Sequence, residues 1–395
     1  MIPLRIKAMS DASEPFVVRL WADRPLDEPW VDEAFEANLV ADSDGKSIFE
    51  GKAGQITISG ISPSDVNGDV LLVNPRKGVA DRLVRRNSPH NTFVVTERCD
   101  QLCVMCSQPP KQQHVNLFPY FEAAALLAPR NAVIGLSGGE PTLYKGQLFE
   151  LLSRVMQQRP DISFHVLTNA QHFAVEDVSA LSQIDLGRVI WGVPLYSADA
   201  CVHDEIVGKA GAYEQLQKNL ALMARAGCRI ELRTVLMRPN AEYLPELARF
   251  IATMLPFIDV WAIMQMENIG YGRKNWDALF FDSSDHFMGL ATALNIVQSR
   301  GLEAKLYNFP LCTVPVAYRS LAPATISDWK KTFLEECDGC SMKEACGGFF
   351  EWHPRNHGYR AVGYYEKEGI CNSIFAGRWV FASGSGGNAT KAVHR

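Results

Sequence analysis

Residues 91–300 predict an α/β fold in which βα units stack around a parallel sheet, because short apolar runs alternate there with helix-length stretches. Two further observations frame that unit. The first ninety residues read as short strands separated by turn residues, and cysteines gather again after residue 301. The chain therefore divides into a small β-rich unit (1–90), the βα unit (91–300), a cysteine-rich unit (301–375) and a flexible tail (376–395) whose Ser-Gly-Ser-Gly-Gly-Asn run signals disorder. With 395 residues and 47% hydrophobic content, the chain is long enough to bury more than one core.

In the amino-terminal unit, Phe16–Leu20, Gln55–Ile58 and Asp69–Val73 are strand-like segments, and Asp44-Gly45, Ser59-Gly60 and Asn67-Gly68 are turn signals. Five basic residues between Arg76 and Arg86 read most simply as a solvated face, with substrate docking as the functional reading. In the βα unit the strands expected are Phe93–Thr96, Ala132–Leu136, Phe164–Leu167, Val189–Val193, Ile230–Leu236 and Val260–Met264. Active groups of parallel barrels collect at the carboxyl ends of such strands.

Composition excludes several classes. No run of about 18 apolar residues is present and the amino terminus lacks an apolar signal segment, so a cytoplasmic protein without a membrane span is expected. A net charge of −5 argues against general nucleic-acid binding. Ten cysteines in a reducing compartment argue for metal ligands over disulfides.

The densest cysteine set follows the first expected strand: Cys99, Cys103 and Cys106, spaced Cys-x3-Cys-x2-Cys. A tight loop there aims three thiolates at one point. A four-iron cubane held by three thiolates keeps one iron open, and an open metal position is where chemistry occurs. Zinc or plain structural thiols are the alternatives, with His114 the nearby fourth ligand. After the second expected strand comes Ser137-Gly138-Gly139-Glu140-Pro141-Thr142. Its glycines let backbone approach a ligand, and Glu140 is an anion suited to an ammonium group. Polar residues end later strands: Thr168-Asn169, Ser197 and, on the fifth strand, Arg233, which needs an anion or a protein carboxylate such as Glu231 or Glu267. Met264 and Met266 read as core, Cys201 and Cys228 as buried thiols, and His203-Asp204 as structural residues opening a helix. A second set, Cys312, Cys337, Cys340 and Cys346, can close a site completely, and Ser327 is expected to cap a helix before Cys337. Cys371 is a spare ligand or a free thiol.

The first cysteine triplet and the Gly-Gly-Glu-Pro turn together resemble the radical S-adenosylmethionine (SAM) superfamily. That resemblance implies a partial (β/α)6 TIM-like barrel and a [4Fe-4S] cluster on Cys99, Cys103 and Cys106 whose open iron binds SAM. It also implies SAM contacts from Ser137, Gly138, Gly139, Glu140 and Pro141, with Asn169, Ser197 and Arg233 near its ribose and carboxylate. Met105 stands where the superfamily more often has an aromatic residue against adenine. The second set resembles the auxiliary-cluster domains (SPASM or twitch) of peptide-modifying members, implying a second [4Fe-4S] cluster. It is shorter than the seven-cysteine SPASM pattern, so one auxiliary cluster is implied.

Several phrases narrow the resemblance to the His-Xaa-Ser system radical SAM maturases (HxsC). They include His90-Asn91-Thr92, Cys106-Ser107-Gln108-Pro109-Pro110-Lys111, Val193-Pro194-Leu195-Tyr196-Ser197, Asn308-Phe309-Pro310-Leu311-Cys312 and Ile326-Ser327-Asp328-Trp329-Lys330. This implies a ribosomally made peptide or small protein with His-Xaa-Ser repeats as substrate, a companion radical SAM maturase, and an external reductant such as flavodoxin or ferredoxin. Two other readings stand beside it: radical SAM chemistry on a small molecule or nucleotide in cofactor biosynthesis, and a non-enzymatic, zinc-stabilised interaction protein.

Overall fold

Asp44 and Gly45 both take positive φ (52° and 69°), the backbone that a two-residue hairpin turn requires. They join the third and fourth strands of a closed barrel in a computed structural model that describes residues 2–25 and 33–362. The barrel comprises Arg5–Ser10 (β1), Phe16–Trp21 (β2), Glu36–Ser43 (β3), Lys46–Gly51 (β4), Gly54–Ser59 (β5), Val70–Asn74 (β6) and Val79–Val84 (β7), in the order β1-β5-β4-β3-β2-β6-β7. Alternation places Ile56, Ile58, Leu71 and Val73 inside with Leu20 and Phe49. Glu36 is buried because four donors converge on it: Arg19 Nε and Nη2, Trp21 Nε1 (3.0 Å) and Arg24 Nη1 (2.7 Å).

Only part of the basic run is the solvated face expected: Arg76 and Lys77 are exposed. Arg82 and Arg85 are buried, Arg82 against Asp69 and Arg85 against Asp328. The barrel is fastened to the next unit by Val17, Val70, Leu72 and Val84, which pack in one cluster with Phe93, Phe118 and Phe121.

Next come seven parallel strands in sequential order: Asn91–Thr96 (β8), Val133–Gly138 (β9), Ser163–Leu167 (β10), Val189–Pro194 (β11), Arg229–Leu236 (β12), Val260–Gln265 (β13) and Glu303–Tyr307 (β14). Every neighbouring pair is parallel, and β8 and β14 form the two edges of an open, partial barrel. The six expected strands all form. The seventh corrects the count of six and moves the end of the sheet past residue 300.

Helices cover one face. In Lys145–Gln158, Leu148, Leu152 and Val155 recur at helical spacing, and they meet Leu136, Phe164 and Trp191 of the sheet in one continuous core. The opposite face of the strands carries His165, Leu167, Glu231, Arg233, Lys305 and Tyr307, all but Glu231 only half-buried.

Beyond β14, short 3-10 turns and a two-stranded pairing of Lys331–Thr332 with Phe349–Phe350 replace long helices. The helix expected after Ser327 is a single 3-10 turn, Asp328–Lys330, with no side-chain cap hydrogen bond. Among the described residues no helix is long and apolar enough to cross a membrane. Cys371 and the expected flexible tail lie outside the described residues.

Candidate active site

The cysteine loop leaves the carboxyl end of β8 and is pinned on three sides. Leu102 N–H and Val104 N–H donate to the carbonyls of Val207 (3.0 Å) and Ile206 (2.9 Å), at the end of the helix Ala200–Val207. Tyr271 N–H donates to the Cys106 carbonyl at 2.8 Å, and Asn275 Nδ2 to that of Val104 at 2.7 Å. The Asp100 carboxylate takes Asn169 Nδ2 at 2.8 Å and Lys209, with His172 Nε2 3.2 Å away. Burial works against that charge, but these partners hold the carboxyl well below its usual range.

Cys99, Cys103 and Cys106 are half-buried, and Cys106 acts electrostatically on both Cys99 and Cys103. Burial, and then the neighbouring Cys106 and Cys99, push the Cys103 thiol up to about 12. Burial, with Glu140, Asp100 and Cys106 adding, pushes Cys99 to about 11. Three thiolates so placed would repel each other, and a cationic metal group would be needed to keep all three ionised together. Among the described residues no three Cys, His, Asp or Glu groups close on a single metal ion. The donor set, thiolate only, fits an iron–sulfur cluster. Met105, Tyr196, Ile206 and Met266 form an apolar wall with Cys103 packed against it.

The Gly-Gly-Glu turn at the end of β9 lies directly against this loop. Gly139 N–H donates to the Thr96 carbonyl (2.7 Å) and Glu140 N–H to the Arg98 carbonyl (2.8 Å). Gly138 has φ 129°, and a Cβ on Gly139 would overlap the Arg98 carbonyl, so the contact requires both glycines. Ser137 precedes the turn on β9, and Pro141 opens the 3-10 turn that follows. Glu140 is fully buried: its carboxylate accepts from Thr142 N (2.8 Å), Thr142 Oγ1 (2.5 Å), Thr168 Oγ1 (2.6 Å) and Asn169 N (2.5 Å). It thus ties the end of β9 to the end of β10.

The other strand-end residues have protein partners as well. Asn169 Oδ1 accepts from Gln171 N (3.0 Å), and Ser197 Oγ accepts from Asp199 N (3.0 Å). Arg233 pairs with Glu231 at 2.5 Å, the carboxylate alternative read from the sequence, and Tyr307 Oη donates to the same carboxylate at 3.0 Å. Cys228 is buried as expected, whereas Cys201 is exposed: it sits in the first turn of Ala200–Val207, on the side away from buried His203 and Ile206.

His203 accepts the Tyr196 N–H at 3.3 Å through Nδ1 and stacks on the Tyr196 ring, and Asp204 accepts from Gly211 N and Tyr213 N. Both are structural, as read. Burial pushes His203 down to about 4, opposed by Asp204. A histidine kept neutral by folding stabilises the protein above its unfolded pKa of about 6.5, and that contribution drains away as pH falls toward 4. The loss amounts to about 3 kcal/mol. Thermal melts at pH 7.5 and pH 5 are expected to show a smaller acid-induced drop for His203→Gln, which keeps an acceptor, than for wild type. Equal drops in both proteins contradict the assignment.

Glu267 is, from the sequence, an alternative partner for Arg233. It lies on the loop after β13 and pairs instead with Lys330 Nζ at 3.3 Å. Gly270 and Gly272, in the short helix Gly270–Lys274 that follows, press against the Cys106 and Glu267 carbonyls, leaving no room for a Cβ. Sequence reading missed Asp100, His172 and Lys209 as anchors, although Asp100 adjoins Cys99 in the motif.

Cys312, Cys337, Cys340 and Cys346 line one pocket with Leu311, Phe333 and Phe349. Leu311 N–H and Gly348 N–H both point to Cys346 Sγ at 3.4 Å. Donors of that kind stabilise a thiolate, so this set also fits a metal–sulfur group.

The Radical SAM superfamily model matches residues 93–251. AlbA of Bacillus subtilis (strain 168), an antilisterial bacteriocin subtilosin biosynthesis protein, is 24% identical over 164 residues, 40% of this chain and 36% of AlbA. Among solved structures, Streptococcus suis SuiB bound to S-adenosylmethionine aligns with TM-score 0.45 and 17% identity over 56% of this chain and 51% of SuiB. A radical SAM methyltransferase from Sphaerobacter thermophilus aligns with TM-score 0.41 and 15% identity over 68% and 76%. The chain thus spans about a third of AlbA and about half of SuiB.

Proposed function

We propose that this radical SAM superfamily protein reductively cleaves SAM and uses the radical to modify a ribosomally made peptide or small protein of the His-Xaa-Ser kind. The observation that carries the reading is the backbone junction between the cysteine loop and the Gly-Gly-Glu turn, Gly139 N to Thr96 O and Glu140 N to Arg98 O. It couples a three-thiolate loop to a side-chain-free backbone edge, which suits a metal with an open position beside a polar cosubstrate.

In this reading Cys99, Cys103 and Cys106 would hold a [4Fe-4S] cluster, which would supply the one electron that breaks the C5′–S bond of SAM into methionine and a 5′-deoxyadenosyl radical. Ser137, Gly138, Gly139, Glu140 and Pro141 form the edge that receives SAM, and Asn169, Ser197 and Arg233 stand on neighbouring strand ends. Met105, Tyr196 and Met266 keep water from the thiols. Cys312, Cys337, Cys340 and Cys346 hold an auxiliary [4Fe-4S] cluster in a unit of the SPASM or twitch kind. A flavodoxin or ferredoxin supplies the electron, and a companion maturase shares the peptide. The bacteriocin biosynthesis role of AlbA supports a peptide substrate over a small molecule.

The test is anaerobic reconstitution with iron and sulfide, metal analysis, and incubation with SAM, dithionite and a His-Xaa-Ser repeat peptide. Expected are iron without zinc, 5′-deoxyadenosine, and a mass change in the peptide. Zinc alone at both cysteine sets supports the non-enzymatic reading instead. 5′-deoxyadenosine with an unaltered peptide moves the substrate to another class.

A further inference from the structure

We infer that the groove between the amino-terminal barrel and the Ser327–Lys330 turn is the docking site of an extended, polar to basic segment of the peptide substrate. This deepens the peptide-maturase reading and rests on it. The groove encloses about 570 Å³, within the range of small-ligand sites. Its walls carry Asp65, Asp69 and Asp328 against Arg82 and Arg85.

The charged walls are built into the fold. The Arg82 side chain is 4% exposed and fully engaged: Nε donates to Asp69 at 2.6 Å, Nη2 to the Asp65 carbonyl at 2.6 Å and Nη1 to the Pro3 carbonyl at 3.2 Å. The Arg85 side chain is 7% exposed and is held through Nη2 alone, by Ser88 and Asp328. Its Nε and Nη1 meet no acceptor among the described residues, although Arg85 lines the groove. Two guanidinium nitrogens thus face the groove without a protein acceptor, where a peptide carbonyl can take the place of water.

Three carboxylates against two guanidiniums make the groove net acidic, which disfavours phosphate or nucleic acid and favours a neutral or basic chain. Asp65 is exposed at its rim, placed to take a histidine or lysine of that chain. Ser62, Ser64 and Asn87 add hydrogen-bonding groups suited to serine and backbone.

Position supports the same occupant. Asp328 is two residues from Lys330, whose Nζ reaches Glu267, just ahead of the short helix Gly270–Lys274 whose Tyr271 N–H bonds the Cys106 carbonyl. A continuous chain of contacts thus runs from the groove wall to the cysteine loop.

The test measures fluorescence anisotropy of a labelled peptide of about twelve residues with His-Xaa-Ser repeats on the reconstituted protein, beside a counterpart with glutamate in place of histidine. Expected are tighter binding of the histidine peptide and at least tenfold weaker binding to Arg85→Gln. Ser64→Trp, which fills the groove from an exposed turn without touching the buried charges, is expected to weaken binding equally while keeping the wild-type melting temperature and iron content. Unchanged affinity in Ser64→Trp, or preference for the glutamate peptide, overturns the docking site. So does failure of both peptides to bind wild type; 5′-deoxyadenosine formation in that same sample then leaves the catalytic reading standing, and its absence removes both.

Discussion

Cys99→Ala is expected to abolish 5′-deoxyadenosine formation and to lower bound iron by about four atoms per chain, the content of one cubane. Two thiolates and no third leave the cluster short of the ligands that keep its remaining iron at a fixed, open position. The loss should be chemical and not a failure to fold. The loop is anchored without the Cys99 side chain, through Leu102 and Val104 to the helix end, Asn275 and Tyr271 to the loop carbonyls, and Asp100 to Asn169 and Lys209. With their thiols pushed up by burial, Cys99 and Cys103 are uncharged in the metal-free protein at neutral pH, so the substitution removes no charged interaction from the loop. The metal-free variant should therefore melt no lower than metal-free wild type. Full SAM cleavage by Cys99→Ala sinks the assignment of the cluster to this loop.

What could be read from the sequence was local in spacing. The three cysteines and the Gly-Gly-Glu turn lie within short segments, and both fall at the ends of strands whose period-2 pattern is plain. What could not be read depends on partners far along the chain. Arg82 and Arg85 look solvated beside three other basic residues, but their partners are Asp69, 13 positions away, and Asp328, 243 positions away. Strand β14 was hidden for a related reason. Glu303, Lys305 and Tyr307 alternate with Ala304 and Leu306, and charges in a strand usually mark a wet face. Here that face lines the inside of the partial barrel, where Tyr307 meets Glu231. Ser327 carries the residue type of a cap, yet the chain beyond it turns once and enters a two-residue strand. Cys201 was misjudged because burial on a short helix depends on which face meets the core, and eight residues give too little periodicity to tell.

Glu140→Ala is expected to cost about 3–5 kcal/mol of stability, the range for breaking a buried charge-assisted network by removing one partner. Four donors lose their acceptor at once: the backbone N–H groups of Thr142 and Asn169 and the hydroxyls of Thr142 and Thr168. Hydroxyls can rotate to other acceptors, but the two N–H groups are fixed by backbone and stay orphaned in a site closed to solvent. Burial holds the Glu140 carboxyl above its usual range, with its hydroxyl and backbone donors pulling against that shift. A protonated carboxyl would set its own O–H against those donors, so the network favours the ionised form. Glu140→Gln keeps the shape and one good acceptor but turns an NH2 toward donors, and should fall between wild type and alanine. Denaturant midpoints of the three proteins, read beside SAM affinity by equilibrium dialysis, separate two roles for this residue. If Glu140 acts by tying β9 to β10, stability and SAM affinity fall together through the series. If it acts by pairing with the SAM ammonium, affinity falls while the midpoints stay level, and the four donors must then find other acceptors when SAM is absent.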